Sequence, residues 1–209
     1  MNRPCTLSSH LKPAAITLLV GVTTWLAGCA ATAPPQQWVR LPAEAGTSPL
    51  PPPGPTTAAE VWQLVGPVAL PGHLDRDAVL VPRGSAGLQP LPGVRWAEPL
   101  RDAVPRLLRS DLVQALGAPV WLAPLPPGVR PTRQLRVELL ALDVGADGRS
   151  VALHARWSVA VASGSSAPRL GEAMLQVPAS SDDAGALATA HRQALLQLAQ
   201  HIAAAAALR

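Results

Sequence analysis

The amino-acid sequence predicts an α+β fold, a mainly antiparallel sheet with two amphipathic helices packed on it in a single domain. The chain has 209 residues, of which 48% are apolar and only 14% are charged, so it can bury a real core and is not disordered throughout. Several segments alternate apolar and polar residues, as strands do, and two segments repeat apolar residues at intervals of three and four, as helices do. Helices that pack on one sheet in this way form an α+β domain of roughly 150 residues.

Three apolar runs in the first half of the chain predict strands. The first is residues 61–70, which ends at a turn-forming Pro-Gly pair. The second is residues 78–82. The third, residues 87–91, is short and weakened by Pro90, because proline cannot donate a ladder hydrogen bond.

The first helix is predicted from about residue 100 to Gly117, which suits a C-terminal stop. Pro99 suits the first helical position. Pro105 conflicts with that start, because an interior proline costs a helix about 3 kcal/mol. A start near Asp102 would place Pro105 in the first turn, where no backbone bond is lost. The apolar positions on one face are Leu100, Val104, Leu107, Leu108, Leu112, Ala115 and Leu116.

Apolar and polar residues alternate most regularly in residues 134–144 and 151–161. This pattern predicts an antiparallel hairpin with one solvent-exposed face. Trp157 is in phase with the apolar face of this hairpin, whereas His154 and Arg156 point the other way. A short apolar run precedes the hairpin at residues 120–122.

The C-terminal part predicts a last strand at residues 170–177 and a second helix at residues 182–208. Ser180 or Ser181 can cap this helix, and the two acidic residues that follow favour its positive N-terminal dipole.

The N-terminus carries the pattern of a lipoprotein signal. Residues 14–27 form a mostly apolar run preceded by Arg3 and Lys12, and this run is shorter than the roughly 20 residues that span a bilayer. It closes with Leu-Ala-Gly directly before Cys29, the order needed for diacylglycerol transfer to the thiol, cleavage before the cysteine and N-acylation, typically with palmitate. We therefore predict a signal peptide at residues 1–28 and a covalent lipid on Cys29, with no other cofactor. Three acyl chains make an essentially permanent anchor.

The next residues predict the location and the tether. Ala30 resembles the sorting pattern of outer-membrane lipoproteins, so the expected place is the periplasmic face of a Gram-negative outer membrane. Residues 37–41 alternate weakly and admit two interpretations. As a first strand, they leave a lipidated tether at residues 29–36 and a Pro-rich loop at residues 42–59; as linker, they extend the tether to residue 59. We favour the first and assign residues 37–209 to the domain.

Several motifs in the body occur in the order seen in a known family. They are Leu70-Pro71-Gly72-His73-Leu74-Asp75-Arg76, Val79-Leu80-Val81, Trp96-Ala97-Glu98-Pro99-Leu100 and Leu153-His154-Ala155-Arg156-Trp157. On these motifs the chain resembles the ABC-type transport auxiliary lipoproteins, including the PqiC-like lipoproteins, over about residues 37 to 207. The first strand of relatives is rich in aromatic residues, whereas here only Trp38 remains.

The resemblance implies partners and a role in lipid transport between the two membranes that supports envelope integrity. The partners it implies are a periplasm-spanning protein of the mammalian-cell-entry (MCE) type and, indirectly, an inner-membrane permease or integral component. A homo-oligomeric ring would fit a symmetric tube. Leu74, Asp75, Arg76 and Trp96 are the candidate contacts with a partner or another subunit. The alternative for them is structural: a turn stabilised by Asp75, and a core position for Trp96.

Catalysis and nucleic-acid binding have little support in the sequence. The one Lys lies in the signal, so there is no phosphate-binding loop, and no Gly-x-Ser-x-Gly elbow or metal-ligand spacing of histidines occurs. Without the signal, Lys plus Arg falls from 17 to 15 against 13 acids, and the cations are scattered. We therefore predict a non-enzymatic, outer-membrane-anchored transport lipoprotein without a metal site. The alternative is a structural or assembly adaptor of the envelope.

Overall fold

The strands of the protein fall into two sheets, seen in a computed structural model that describes residues 35–45, 60–164 and 166–207. The strands are β1 Gln37–Val39, β2 Trp62–Leu64, β3 Ala78–Arg83, β4 Gly87–Trp96, β5 Val120–Leu122, β6 Arg133–Val144, β7 Ser150–Val161 and β8 Arg169–Pro178. The helices are α1 Leu100–Leu116 and α2 Ala184–Ala207, and a 3-10 turn covers Gly72–Leu74. One sheet has the order β1-β4-β3 and the other β5-β2-β6-β7-β8.

The larger sheet is built around an antiparallel meander of its three long strands. β6 pairs with β7 and β7 with β8 over most of their lengths, and β3 pairs with β4 in the same antiparallel sense. The three-residue strands β1, β2 and β5 join by parallel pairing. The mainly antiparallel α+β fold expected from the sequence is confirmed.

α2 lies on one face of the larger sheet, and α1 packs against α2 and the edge strand β5. α2 contacts β7, β8, β1 and α1, and α1 also contacts β5. Because strands of both sheets and α1 pack around α2, most of its side chains are buried, among them Leu195, Leu198 and Ile202 at 0% exposure. Gln36–Arg209 group into one compact unit. Within the described ranges, no helix is long and apolar enough to cross a bilayer.

Two of the predicted strands have different lengths in the structure. The run at residues 61–70 forms only the three-residue strand β2, because Gly66 adopts φ +74° and Pro67 follows it; Ala69 rejoins the sheet as a single bridge to Glu138. Conversely, β4 has ten residues rather than the predicted five. The register jumps between Ala78 and Leu80, so residues 91–94 of β4 have no partner on β3, and Pro92 lies in this bulge.

The helix ends also depart from expectation. α1 begins at Leu100 with Pro99 as its N-cap, so the start near Asp102 was wrong and Pro105 lies inside the helix. The missing amide of Pro105 leaves the carbonyl of Arg101 without its helical donor; Arg101 is exposed, so solvent can supply that bond. Gly117 ends α1 with φ +62°, as predicted.

The second helix is capped by a residue other than the predicted serines. Asp183 directly precedes α2, and its Oδ1 accepts a hydrogen bond from the amide of Ala186 at 2.9 Å. The hydroxyl of Ser181 donates to the same carboxylate. The predicted caps, Ser180 and Ser181, are therefore wrong: the carboxylate caps the helix, and a serine only supports it.

Residues 37–39 form a strand, in agreement with the first of the two interpretations that the sequence left open for residues 37–41. β1 pairs in parallel with β4, Val39 and Leu41 are buried, and the carbonyl of Val39 accepts from the amide of Ala97 at 2.7 Å. The signal peptide, Cys29 and most of the Pro-rich loop lie outside the described residues, so their assignments remain predictions.

Candidate partner-binding surface

The 3-10 turn before β3 sorts its side chains into a buried and an exposed set. Leu74 is 7% exposed and packs in the core, and its amide donates to the carbonyl of Pro71 at 2.9 Å. Asp75 and Arg76 directly follow and are exposed. Leu74 therefore fixes the turn, while the next two residues face solvent.

Trp96 ends β4 in the interior. It is 5% exposed, and its ring meets the imidazole of His191 edge to face, with centroids 5.4 Å apart. Its amide donates to the carbonyl of Asp77 at 2.6 Å, which holds the end of β4 against the residue before β3. Of the four candidate contact residues, Leu74 and Trp96 thus support the surface from beneath, and Asp75 and Arg76 lie on it.

One ion pair joins this turn to the start of α1, and a second joins α1 to the residues just before it. Asp75 pairs with Arg101, and one guanidinium nitrogen of Arg106 contacts both carboxylate oxygens of Glu98 at 2.7 and 2.9 Å. The hydrogen bond to Asp75 raises the pKa of Arg101 further above its already high value. We call Asp75, Arg76, Glu98, Arg101 and Arg106 the turn–helix surface.

Arg76 differs from the other charged members of the turn–helix surface. Its guanidinium has no ion pair or hydrogen bond with any other described residue, whereas Arg101 and Arg106 are both engaged by carboxylates. A partner that presents a carboxylate could therefore pair with Arg76 without breaking an existing bond. Sequence reasoning selected Arg76 from its motif, but it could not show that the guanidinium of Arg76 is unpaired.

Beneath the turn–helix surface lies a narrow crevice with two histidines. His73 Nε2 is 2.6 Å from Asp143 Oδ1, and His191 Nδ1 donates to the carbonyl of Leu187 at 2.7 Å. Burial lowers the pKa of His191, and the carbonyl of Leu187 and the charge of Asp143 only partly oppose that effect. The ring is therefore a neutral core histidine. Among the described residues, no group of three or more His, Cys, Asp or Glu could hold a metal ion.

A second surface with exposed apolar groups lies on the edge strand β8. Leu170 is 81% exposed and Met174 is 74% exposed, on the face that does not contact the helices. Between them, Glu172 accepts from His154 at 2.5 Å and Arg156 at 3.3 Å, and these bonds lower the pKa of Glu172. The sequence identified His154 and Arg156 as surface residues. It missed the two apolar ones, because alternation shows which face a residue lies on but not that β8 is an edge.

Comparison with known proteins places this arrangement in a family. A family model described as the ABC-type transport auxiliary lipoprotein component matches residues 46–203, three quarters of the chain. The protein belongs to this family. The resemblance drawn from the Leu-Asp-Arg and Trp-Ala-Glu-Pro-Leu motifs is thereby confirmed, and those motifs form the turn and the start of α1 described above.

Solved structures support the fold of this transport auxiliary lipoprotein. An uncharacterized protein superposes with a TM-score of 0.64 at 17% identity, covering 83% of this chain and 99% of the other. A Xanthomonas campestris protein, assigned to a family named only as a domain of unknown function, gives a TM-score of 0.63 at 17% identity over 80% of this chain and 92% of the other. No curated protein matches the sequence. At such identities the likeness shows the fold alone.

Proposed function

We propose that this transport auxiliary lipoprotein is anchored in the outer membrane by Cys29 and docks a periplasm-spanning MCE-type protein that carries lipid between the membranes. The observation that carries the proposal is the family match over residues 46–203. The same chain has the lipoprotein signal Leu-Ala-Gly directly before Cys29. In this role the folded domain is a docking module without catalysis, and an inner-membrane permease belongs to the same system.

The turn–helix surface is the docking site in this proposal. Arg76 supplies a charge that no described residue neutralises, and Leu74 and Trp96 hold the turn from within the core. Arginine is well suited to such contacts because its planar guanidinium binds a carboxylate in a fixed geometry. The proposal therefore expects an acidic patch on the partner.

Co-purification with the MCE-type protein tests this docking site. Arg76→Glu should lower the amount of captured partner by about tenfold or more, because a like-charge contact replaces an attractive one. Arg130→Glu is the matched control: Arg130 is also exposed, lies in the loop before β6 and makes no ion pair with described residues. Equal capture by wild type and Arg76→Glu would reject the turn–helix surface as the docking site.

The anchor is tested separately by labelling cells with palmitate. Cys29→Ser should abolish incorporation and shift the protein out of the outer-membrane fraction. Cys5→Ser provides the control, because Cys5 lies in the predicted signal and should not be modified. Label retained in Cys29→Ser would reject the anchor without bearing on the docking surface.

The proposed ring of several copies needs a surface for self-association, and β8 offers one. It is a ten-residue edge strand with two large exposed apolar side chains, a combination that invites another chain to pair. Light scattering of the purified lipoprotein in detergent should show an oligomer that Met174→Glu reduces in size. A monodisperse monomer in the wild type would exclude the ring.

A further inference from the structure

Trp38 is 58% exposed on the edge strand β1, although tryptophan carries more apolar surface than any other side chain present. Its neighbour Val39 is buried and fixes the strand against β4. The exposed indole is therefore held on an ordered strand rather than on a loose terminus. A large amphipathic ring in this situation is typical of a contact with another phase or molecule.

The topology shows from which direction β1 enters the small sheet. β1 runs parallel to β4, with Gln37 opposite Val94. Gln36 therefore lies on the side of Gln37 toward the Gly87 end of β4, where the β3–β4 hairpin turns. Leu88, at that hairpin, is 47% exposed.

One free cation lies next to Trp38 in the sequence. Arg95, opposite Trp38 on β4, is paired with Asp77 at 2.7 Å. Arg40, two residues after Trp38, is exposed and makes no ion pair with a described residue. A cation beside an exposed tryptophan matches the surface of a bilayer, where anionic phosphates overlie an apolar layer.

Chain length restricts how far this strand can lie from the lipid. Cys29 precedes Gln37 by eight residues, which reach at most about 28 Å when fully extended. Resting on the lipid anchor of the proposed function, we propose that β1 contacts the outer membrane itself. Trp38 lies at the headgroup level of the inner leaflet, and Arg40 faces anionic lipid phosphates.

This contact fixes the orientation of the domain as well as its distance from the membrane. With the β1 edge against the bilayer, the acyl chains and the indole hold the domain at two separate points. A lipid anchor alone would leave it free to rotate about the tether.

Quenching of tryptophan emission tests the contact. The lipidated full-length protein is reconstituted into vesicles of phosphatidylethanolamine and phosphatidylglycerol, with and without bromine on the acyl chains. The chain has six tryptophans, and Trp25 leaves with the signal, so contact by Trp38 alone should quench up to about one fifth of the emission. Trp38→Gln should abolish this quenching. Val161→Gln, which removes an exposed apolar group from the other sheet, should retain it.

Flotation of the vesicles separates the two proposals. Protein that floats but shows equal emission in both kinds of vesicle would overturn the membrane contact and leave the anchor intact. Protein that does not float would overturn the anchor and this inference together. Disulfide-linked dimers of Trp38→Cys in the vesicles would instead assign β1 to a contact between copies and would likewise overturn it.

Discussion

Arg192 and Asp111 form a bidentate ion pair between the two helices. Nη1 and Nη2 of Arg192 each lie 2.6 Å from a carboxylate oxygen of Asp111, and both side chains are 3% exposed. The same guanidinium donates to the carbonyls of Pro42 at 3.0 Å and Ala43 at 3.2 Å. One buried side chain therefore holds α1, α2 and the segment after β1 together.

Removing one member of this pair should destabilise the domain strongly. Arg192→Met leaves the carboxylate of Asp111 buried without a partner, and we expect a loss of about 3–5 kcal/mol in the free energy of unfolding. Urea denaturation measures this loss. The double variant Asp111→Leu/Arg192→Met should recover part of it, because no uncompensated charge remains.

Arg106→Met is the control for that experiment, since its partner Glu98 and the guanidinium are both partly exposed. A change within about 1 kcal/mol is expected there. If Arg192→Met were as mild as this control, the buried pair would not be what joins the helices.

The neutral core position of His191 predicts a loss of stability in acid. Burial lowers the pKa of His191 in the folded state, whereas the unfolded chain takes up the proton near pH 6.5. As the pH falls below about 6.5, the unfolded state binds a proton that the folded state does not. The free energy of unfolding therefore falls, by at most about 1.4 kcal/mol per pH unit from this group.

Urea midpoints between pH 5 and 7 measure this dependence. His191→Gln should flatten it, and His201→Gln, on the exposed side of the same helix, should leave it as in the wild type. An unchanged pH dependence in His191→Gln would contradict a neutral buried imidazole.

The sequence predicted the elements whose signal is local. The β6–β7 hairpin alternates with period two over nearly its whole length, and α1 repeats its apolar residues with period 3.6, so burial of one face determines both. The turn at Pro71-Gly72 was also found, because a turn is specified by adjacent residues.

The features that the sequence could not predict depend on residues far apart in the chain. Arg192 meets Asp111 across 81 positions, and within a helical pattern it has the appearance of a surface arginine. The smaller sheet likewise depends on the pairing of β1 with β4, and the sequence of a three-residue strand does not predict its partner. In the candidate site, which arginine is left unpaired depends on distances that only the fold sets.

The carboxylate cap of α2 predicts a position-specific effect on thermal stability. Asp183→Ala removes the acceptor of the Ala186 amide and should lower Tm by a few degrees, whereas Asp183→Asn should retain most of the cap. Hydrogen bonds from Ser181 and the Ala186 amide lower the pKa of Asp183, so its contribution is present above about pH 4 and disappears as the pH falls through that lowered value. Calorimetry at pH 7 tests the ranking. An equal loss in the Asn variant would mean that charge, and not the hydrogen bond, stabilises the helix end.

Gly171 on β8 is required by the indole opposite it on β7. Gly171 and Trp157 are cross-strand partners, and a Cβ on Gly171 would come within 3.0 Å of three atoms of the Trp157 ring. Because that ring is 7% exposed and packed in the core, Gly171→Ala should force it to shift and cost about 1–3 kcal/mol. Gly72→Ala is the control, since no atom lies within 4 Å of a Cβ there. Urea midpoints test the stability and near-ultraviolet circular dichroism reports the indole; identical midpoints for the two variants would show that the ring does not occupy this site.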